Sequence, residues 1–181
     1  MSDVAKKHDV PAPAPSSPDL ELTRLLDAPP ALVFDVWTQP HHFRRWFGPH
    51  GSDMPFCEID PRRGGLVHFC HRFGEMEVWV RGHFQEVARP ERLVFTVGFV
   101  DADGRPGAHP ALPDWPADAR LVTTVTLEPE GGKTRMTVRQ SVTPAEAAGL
   151  PAVAEERRQA AAGWVQTLDR LEALARRMGT R

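Results

Sequence analysis

The alternation of apolar and polar positions predicts where ordered structure begins. Residues 1–18 are rich in proline, alanine and serine. This composition buries too little apolar area to offset chain entropy, so the segment is predicted to be a disordered tail. From residue 19 onward, Leu20, Leu22 and Leu26 alternate with mostly polar neighbours. This pattern predicts a strand that ends at the turn-forming run Asp27-Ala28-Pro29-Pro30.

Two short helices are predicted after that strand. The prolines at 29 and 30 suit the first turn of a helix, because a first-turn N–H has no helical partner to lose. The apolar face of this helix consists of Val33, Phe34, Val36 and Trp37. Pro40 ends it, and residues 41–47 predict a second short helix closed by Gly48-Pro49.

The middle of the chain predicts a run of strands, at residues 54–60, 66–72, 75–87, 93–100, 121–127 and 134–142. Most connections between them are short and carry glycine or proline, so sequential antiparallel hairpins are the economical topology. The exception is residues 101–119, which are rich in Pro, Gly, Asp and Ala. A connection of this length predicts a lid, a binding loop or a mobile insertion.

The last third of the chain predicts a long helix. Thr143-Pro144-Ala145-Glu146 has the spacing of a capping box, and Gly149 and Pro151 then interrupt the helix that it starts. Beyond this point, an apolar stripe at helical spacing contains Val153, Trp164, Leu168, Leu171, Leu174 and Met178. Because the sheet is the large apolar partner available, we expect an α+β fold: a curved antiparallel sheet, two short helices near its start, and this helix across the concave face.

Strand alternation then predicts which side chains face that helix. The inward sets are Val67, Phe69 and His71; Met76, Val78, Val80, Gly82 and Phe84; Leu93, Phe95, Val97 and Phe99; Thr123, Val125 and Leu127; and Met136, Val138 and Gln140. For the strand at 54–60 the pattern does not choose between Met54 with Phe56 and Cys57 with Ile59.

Composition and charge exclude several classes of protein. With 41% hydrophobic and 25% charged residues, the chain has the composition of a soluble globular protein. A net charge of -2 argues against general binding to nucleic acid or anionic membranes. Its longest apolar stretch, residues 93–100, is too short for a membrane span. Cys57 and Cys70 are too few for a disulfide scaffold, so reduced thiols and a cytoplasmic location are expected.

The order of these elements, together with a set of short motifs, resembles a known family. The motifs are Asp27-Ala28-Pro29, Val33-Phe34-Asp35-Val36-Trp37-Thr38-Gln39-Pro40, Trp46-Phe47-Gly48-Pro49, Glu58-Ile59-Asp60-Pro61-Arg62, Gly64-Gly65, Gly82-His83-Phe84-Gln85-Glu86-Val87, Pro90-Glu91-Arg92-Leu93-Val94-Phe95-Thr96, Gly163-Trp164 and Leu168-Asp169-Arg170-Leu171. They resemble the bacterial Hsp90-ATPase-activator-homologue (AHSA1-like) family of START-like, Bet v 1-like (SRPBCC) domains. The resemblance covers residues 19–178, which we expect to form a single domain with residues 101–119 as an inserted loop.

The resemblance implies a helix-grip fold whose pocket, between the sheet and the C-terminal helix, holds an apolar ligand in related domains. We therefore expect this chain to bind a lipid-, polyketide- or aromatic-like molecule without catalysis. Predicted ligand-binding residues are Arg24, Phe69, His71, Met76, Val78, Val80, Phe95, Phe99, Trp115, Met136, Gln140, Trp164 and Leu168. Plain core packing is the alternative for each apolar residue. The alternative for Arg24 is an ion pair with Glu58 or another carboxylate.

Gly163 and three polar residues refine this expectation. Arg24, His71 and Gln140 lie on inward faces, where polar groups in an apolar cavity orient small ligands. A glycine in mid-helix costs about 1 kcal/mol relative to alanine, so Gly163 indicates either close packing or space for a ligand beside Trp164.

Other functions are alternatives to ligand binding. A protein-interaction role like that of the Hsp90 activator would use the outer sheet face around Trp79, and a homodimer is also left open. A zinc site could draw on Cys57, His68, Cys70, His71 and His83, but their spacing matches no standard motif. A cyclase or hydrolase ranks third among the hypotheses, because the sequence contains no recognisable set of acid, base and nucleophile. No metal, cofactor, nucleic-acid partner, membrane partner or catalytic residue is predicted.

Overall fold

The computed structural model describes residues 20–179, and the predicted tail at 1–18 lies outside them. Within that range the strands are β1 (Leu20–Leu26), β2 (Asp53–Ile59), β3 (Leu66–Phe73), β4 (Met76–Ala88), β5 (Arg92–Val100), β6 (Arg120–Glu130) and β7 (Lys133–Thr143). The helices are α1 (Pro30–Thr38), α2 (Pro40–Trp46) and α3 (Pro151–Gly179), with a short 3-10 helix at Ala145–Gly149.

All seven strands belong to one antiparallel sheet, in the order β1-β7-β6-β5-β4-β3-β2. The sequential hairpin pairing predicted for β2 to β7 is therefore confirmed. The first strand crosses back to pair with the last, Leu22 opposite Val138, so β1 and β2 are the two edges. The sheet curls around α3, and the predicted helix-grip α+β fold is confirmed.

Curvature of the sheet has a local cause at Gly82. A Cβ atom at this position would lie 1.7 Å from the carbonyl oxygen of Thr96 on β5, so no side chain fits there. A register shift between Phe84 and Glu86 follows on the same strand. Glycines and bulges let a strand bend sharply, and β4 uses both to curve over the helix.

The two short helices fill one end of the sheet with aromatic side chains. Pro30 and Pro40 each occupy a first-turn position, and the predicted face of α1 is buried. Trp37 packs edge-on against Trp46 at a ring-centroid distance of 4.6 Å. The indole N–H of Trp46 donates to the carbonyl oxygen of Val36 at 3.0 Å, which fixes α2 against α1.

The inward faces predicted for β3 to β7 are confirmed for their apolar members, which are buried apart from Met76 at 37% exposed. On β2, Met54 and Ile59 are both buried, although their positions differ by five and strict alternation would place them on opposite faces. A register shift between Asp53 and Phe56 explains this, because a bulge exchanges the two faces of a strand. The two buried residues therefore come one from each of the pairs considered from the sequence.

The capping box predicted at Thr143-Pro144-Ala145-Glu146 is wrong. Pro144, not Thr143, is the N-cap residue, and no side chain caps this helix. The segment forms a five-residue 3-10 helix that ends at Gly149, before α3 begins at Pro151. Thr143 instead belongs to β7, where it pairs with Arg120 of β6. Pairing in the sheet outcompetes the local capping interaction here.

Candidate functional site

A cavity of about 390 Å³ lies between the first half of α3 and the concave face of the sheet. The segment after α2 and the long loop at 101–119 complete its wall. Its lining residues are Phe47, Gly48, Pro49, Phe69, His71, Phe73, Met76, Val78, Val80, Phe95, Val97, Phe99, His109, Ala111, Leu121, Thr123, Gln140, Glu156, Gln159, Ala160, Gly163, Trp164 and Thr167. Because Met76, Ala111 and Gln159 are exposed, the cavity reaches solvent at that end.

Most of the residues predicted to bind a ligand line this cavity. They are Phe69, His71, Met76, Val78, Val80, Phe95, Phe99, Gln140 and Trp164. Four others, Arg24, Trp115, Met136 and Leu168, do not belong to the wall.

Arg24 and Trp115 make contacts elsewhere. The Arg24 guanidinium donates to the carbonyl oxygen of Thr23 and lies 3.9 Å from the Asp169 carboxylate of α3. The alternative expected for Arg24, an ion pair, is therefore observed, and its partner is Asp169 and not Glu58. The ring of Trp115 packs edge-on against Phe99 at 4.9 Å. Trp115 therefore supports the wall from behind.

Met136 and Leu168 are core residues. Both are completely buried. The sulfur of Met136 accepts a hydrogen bond from the indole N–H of Trp37 at 3.3 Å. These contacts join α1 to β7 below the cavity, where side chains fill the space between sheet and helix.

Gln140 has both ends of its amide engaged within the protein. Its Nε2 donates to the Thr123 hydroxyl at 3.3 Å, and its Oε1 accepts from the Trp164 indole N–H at 3.4 Å. The chain of hydrogen bonds fixes the Trp164 ring across the inner end of the cavity. These three polar groups therefore have partners without a ligand.

His71 is the wall residue with an unpartnered ring nitrogen. Burial and the nearby Arg170 charge lower the pKa of its imidazole to about 4, against a hydrogen bond to the Phe47 backbone that raises it. The Nε2 atom is shielded from solvent and has no hydrogen-bond partner. The ring edge that carries Nε2 faces Gly48, where a Cβ atom would lie 3.3 Å from Cε1 and 3.5 Å from Nε2 of His71.

Glu156 on α3 is the second polar group of the wall without a partner at one atom. Its Oε2 is buried and has no hydrogen-bond partner. Burial raises the pKa of this carboxyl group to about 7, and the nearby Arg157 offsets part of that effect. A carboxylic acid with this pKa changes charge near neutral pH.

Small residues on α3 leave the cavity open. A Cβ at Gly163 would meet only Pro49 side-chain atoms, at 4.0 Å, which is ordinary contact distance. Close packing therefore does not require a glycine here, and space beside Trp164 is the better reading of the two. Ala160 lies on the same face, one turn earlier. Thr167 also lines the wall, and its hydroxyl donates to the Gly163 carbonyl at 2.8 Å.

Arg170 fixes the segment after α2 that forms the wall next to His71. Its Nη1 donates to the carbonyl oxygens of Gly48 and Pro49, at 2.8 and 3.0 Å, and its Nη2 to that of Arg45 at 3.1 Å. Gly48 has a φ of 123°, and a Cβ there would lie 2.6 Å from the Ser52 hydroxyl oxygen. The guanidinium is thus directed at backbone oxygens, and the cavity wall does not include it.

The long loop covers part of the cavity. Its backbone forms isolated bridges between Val100 and Pro106 and between His109 and Leu112. The imidazole of His109 packs edge-on against Phe99 at 5.0 Å, and its Nδ1 accepts from the Ala111 N–H at 3.1 Å. Residues 101–119 are therefore attached to β5 at the rim of the cavity.

Neither cysteine contributes chemistry to the cavity wall. Burial raises the pKa of the Cys57 thiol to about 12 and that of Cys70 to about 11, so both remain protonated at neutral pH. Among residues 20–179, no group of three or more His, Cys, Asp or Glu side chains is placed to hold a metal ion.

Glu156 is the wall residue of most chemical interest that the sequence reading did not select. It lies on the Trp164 face of α3, two helical turns earlier. The same helical spacing places Ala160, Gly163 and Thr167 on that face. Gly163 was selected from the sequence, and this register could also have found Glu156, Ala160 and Thr167, but the search for an apolar stripe passed over charged and small side chains.

The fold and the cavity define a helix-grip domain with an internal pocket. Within residues 20–179, no helix is long and apolar enough to cross a membrane. The chain belongs to the family described as Activator of Hsp90 ATPase homolog 1-like protein, whose model matches residues 27–176. This confirms the resemblance seen in the sequence.

Solved structures of bacterial proteins have the same fold. Protein NE0264 from Nitrosomonas europaea is 26% identical, with a TM-score of 0.69 over 90% of this chain and 97% of that chain. Protein CV1439 from Chromobacterium violaceum is also 26% identical, with a TM-score of 0.67 over 87% of this chain and 96% of that chain. The AHSA1 protein from Silicibacter pomeroyi is 24% identical, with a TM-score of 0.66 and coverage of 86% and 96%. Comparison with curated proteins gives no match.

Proposed function

We propose that this protein binds an apolar small molecule, without catalysis, in the cavity between α3 and the sheet. The observation that carries the proposal is the space at Gly163, where the helix has room for a side chain and bears none. A filled core would gain from a larger residue here, because buried apolar contact stabilises the fold and glycine weakens the helix.

The composition of the wall supports the same conclusion. Ligand pockets are mostly apolar and contain a few placed polar groups. Here, valines and aromatic side chains of β3 to β5 make up much of the lining, and His71, Gln140 and Glu156 are among its polar members.

Binding without catalysis fits the available nucleophiles. Neither cysteine is among the described residues that line the cavity, and no serine is. The hydroxyl of Thr167 donates to a backbone carbonyl, and that of Thr123 accepts from Gln140. Neither hydroxyl has a histidine or carboxylate as its hydrogen-bond partner in these contacts, so the arrangement for an activated nucleophile is missing from the wall.

The direct test is native mass spectrometry of the untagged protein beside a denaturing run. A non-covalent adduct of small-molecule mass supports the proposal and gives the ligand class, and the same spectrum reports the number of subunits. Titration with pyrene, whose fluorescence responds to the polarity of its surroundings, tests the cavity itself. We expect saturable binding to the wild type.

Two variants locate the binding. Gly163→Leu places a side chain inside the cavity and should weaken pyrene binding by about ten-fold or more, because an overfilled site has no room for the ligand. Ala162→Leu adds the same side chain at an exposed position of α3 and should leave binding unchanged. Equal pyrene affinity in both variants, each folded, would contradict the proposal.

A second candidate function is docking of a protein partner, as the family name suggests. The outer face of the sheet carries an aromatic cluster in which Trp79 lies 5.5 Å from Phe56 and 5.7 Å from His68, measured between ring centroids. A chaperone partner would be captured by the wild type and lost in Trp79→Glu. Stimulation of Hsp90 ATPase activity is the accompanying assay, and its absence at micromolar protein would count against this function.

A further inference from the structure

We propose that the ligand of this cavity is an amphipathic cation: an apolar body with a protonated amine at one end, which pairs with the Glu156 carboxylate at the outer end of the cavity. This inference rests on the proposed binding function and deepens it by naming the charge of the ligand. The position of Glu156 and the balance of charge in the wall support it.

Glu156 lies at the opposite end of the cavity from Trp164. The two residues are eight positions apart on one face of α3, which is about 12 Å along a helix axis. Trp164 is fixed across the inner end by Gln140, whereas Gln159, less than one turn after Glu156, is exposed at the mouth. A ligand whose apolar body fills the cavity therefore has its polar end near Glu156.

The Glu156 side chain is half-buried in this wall. Its Oε2 is shielded and has no hydrogen-bond partner, while the side chain as a whole keeps accessible surface. Attraction between a carboxylate and a cation depends on their charges and separation, and it does not require contact with one particular oxygen. The carboxylate can therefore act on a cation that enters from the mouth.

The wall contains an acidic group and no fixed positive charge to balance it. Among the described residues that line the cavity, none is a lysine or an arginine. Burial lowers the pKa of the two lining histidines, His71 and His109, so both rings are neutral at pH 8. Burial raises the pKa of Glu156 to about 7, so this group is mostly ionised at the same pH. The lining residues then carry a net negative charge.

Arginines of α3 do not supply the missing charge inside the cavity. Arg157 follows Glu156 directly, and consecutive residues of a helix point about 100° apart. Arg157 is accordingly not part of the wall, and its charge offsets only part of the effect of burial on the carboxyl pKa. Arg170 also lies outside the wall, and it donates to three backbone carbonyl oxygens.

A role in stabilising the helix does not account for a carboxylate at this position. Acidic side chains favour the start of a helix because of its dipole, but the effect falls off within the first turn. Helix α3 begins at Pro151, and its first turn holds no acidic residue, so Glu156 lies beyond that turn. An unpaired carboxylate removed from water costs free energy, which a cation bound beside it recovers.

The test uses three ligands with the same ten-carbon chain: decylamine, decanol and decanoate. At pH 8 the first is a cation, the second is neutral and the third is an anion. Each ligand competes with pyrene for the cavity. We expect decylamine to bind about ten-fold more tightly than decanol, as a hydrogen bond to a charged group allows, and decanoate to bind most weakly.

The variant Glu156→Gln keeps the size of the side chain and removes its charge. Decylamine should then bind no more tightly than decanol, because the ammonium group loses water and gains no ion pair. The matched control is Glu155→Gln, since the Glu155 carboxylate pairs with Arg158 and lines no part of the cavity. Both variants remove one negative charge from the protein, so net charge cannot cause a difference between them. The control should keep the full preference for decylamine.

The outcomes separate the two proposals. Failure of pyrene to bind the wild type would reject the binding function itself. Pyrene binding with decylamine no tighter than decanol, or with decanoate as the tightest ligand, would reject the cationic class while leaving the cavity function intact. A preference for decylamine that persists in Glu156→Gln would overturn the assignment to Glu156. If that variant does not fold, the three wild-type affinities still decide whether the cavity prefers a cation.

Discussion

The two halves of α3 pack against the same sheet in opposite ways. The half after Thr167 presents Leu168, Leu171 and Leu174, and each of these side chains is at most 1% exposed. The half before it presents Ala160 and Gly163 at the cavity. Side-chain size on one helix thus separates a filled core from an open cavity.

The sheet does not produce this difference. Below the second half of α3 it presents large side chains such as Leu127 and Met136, and below the first half it presents Phe95 and Phe99. Since both parts of the sheet are bulky and apolar, the small residues of α3 determine where space remains. The lesson is that burial alone does not distinguish a core position from a pocket position on this fold.

The largest expected effect follows from removing a leucine on each side of that boundary. Leu171→Ala should lower the free energy of unfolding by about 3 to 4 kcal/mol, because a fully packed site cannot close around the lost atoms. Leu121→Ala, in the cavity wall, should cost roughly half as much, because one side of Leu121 already faces open space. Urea denaturation measures both.

This comparison has a clear contrary result. Equal losses for the two leucines would mean that the wall around Leu121 packs as tightly as the core around Leu171. The cavity would then be closed in solution, and the boundary drawn on α3 would be wrong.

An intermediate effect is expected from pH, with opposite signs for the two polar wall residues. The pKa of Glu156 is raised from 4.5 to about 7, so the folded protein keeps a proton that the unfolded chain releases, and stability falls as pH rises across this range. The pKa of His71 is lowered from 6.5 to about 4, so between these pH values the unfolded chain binds a proton at this residue and the folded protein does not. Stability therefore falls as the pH drops from 6.5 to 4.

Each effect becomes visible when the side chain that causes it is replaced by one that does not titrate. Relative to wild type, Glu156→Gln should gain stability between pH 4.5 and 7, reaching about 3 kcal/mol at most. His71→Phe should gain stability as the pH drops from 6.5 to 4, by a similar amount. The charges beside these groups are Arg157 and Arg170. Urea denaturation at several pH values gives both differences, and pH-independent differences would contradict the burial of these groups.

The smallest expected effect is at Gly163. Gly163→Ala should raise the free energy of unfolding by about 1 kcal/mol or less, because alanine favours the helix and the added methyl group meets atoms no closer than 4.0 Å. Thermal denaturation checks this. A lower melting temperature would show that the space beside Trp164 is not available to a side chain.

Much of the fold could be predicted because the strands of this sheet obey strict alternation. The inward residues of β3 to β7 follow from a period of two, and the short connections between strands predict antiparallel order. The site was harder to predict. Phe69 and Phe99 share their pattern with Met136 and Leu168, yet only the first two line the cavity.

The predictions that failed did so where local and tertiary interactions compete. At β2, a register shift around Pro55 exchanges the faces of the strand, and alternation alone does not show it. At Thr143, pairing with β6 displaces the cap that the local spacing suggests. Arg24 lies on an inward face but turns toward Asp169, because a cation gains more from a carboxylate than from an apolar wall.

The pairing of the first strand with the last has a consequence for synthesis of the chain. Strands β2 to β6 form consecutive hairpins and can pair as they leave the ribosome, whereas β1 has no partner until β7 follows more than a hundred residues later. The concave apolar face also waits for α3, the last element described. We therefore expect β7 and α3 to complete the sheet and cover its face late in folding, and we expect slow folding, because the chain loses the entropy of a long loop before β1 and β7 can pair.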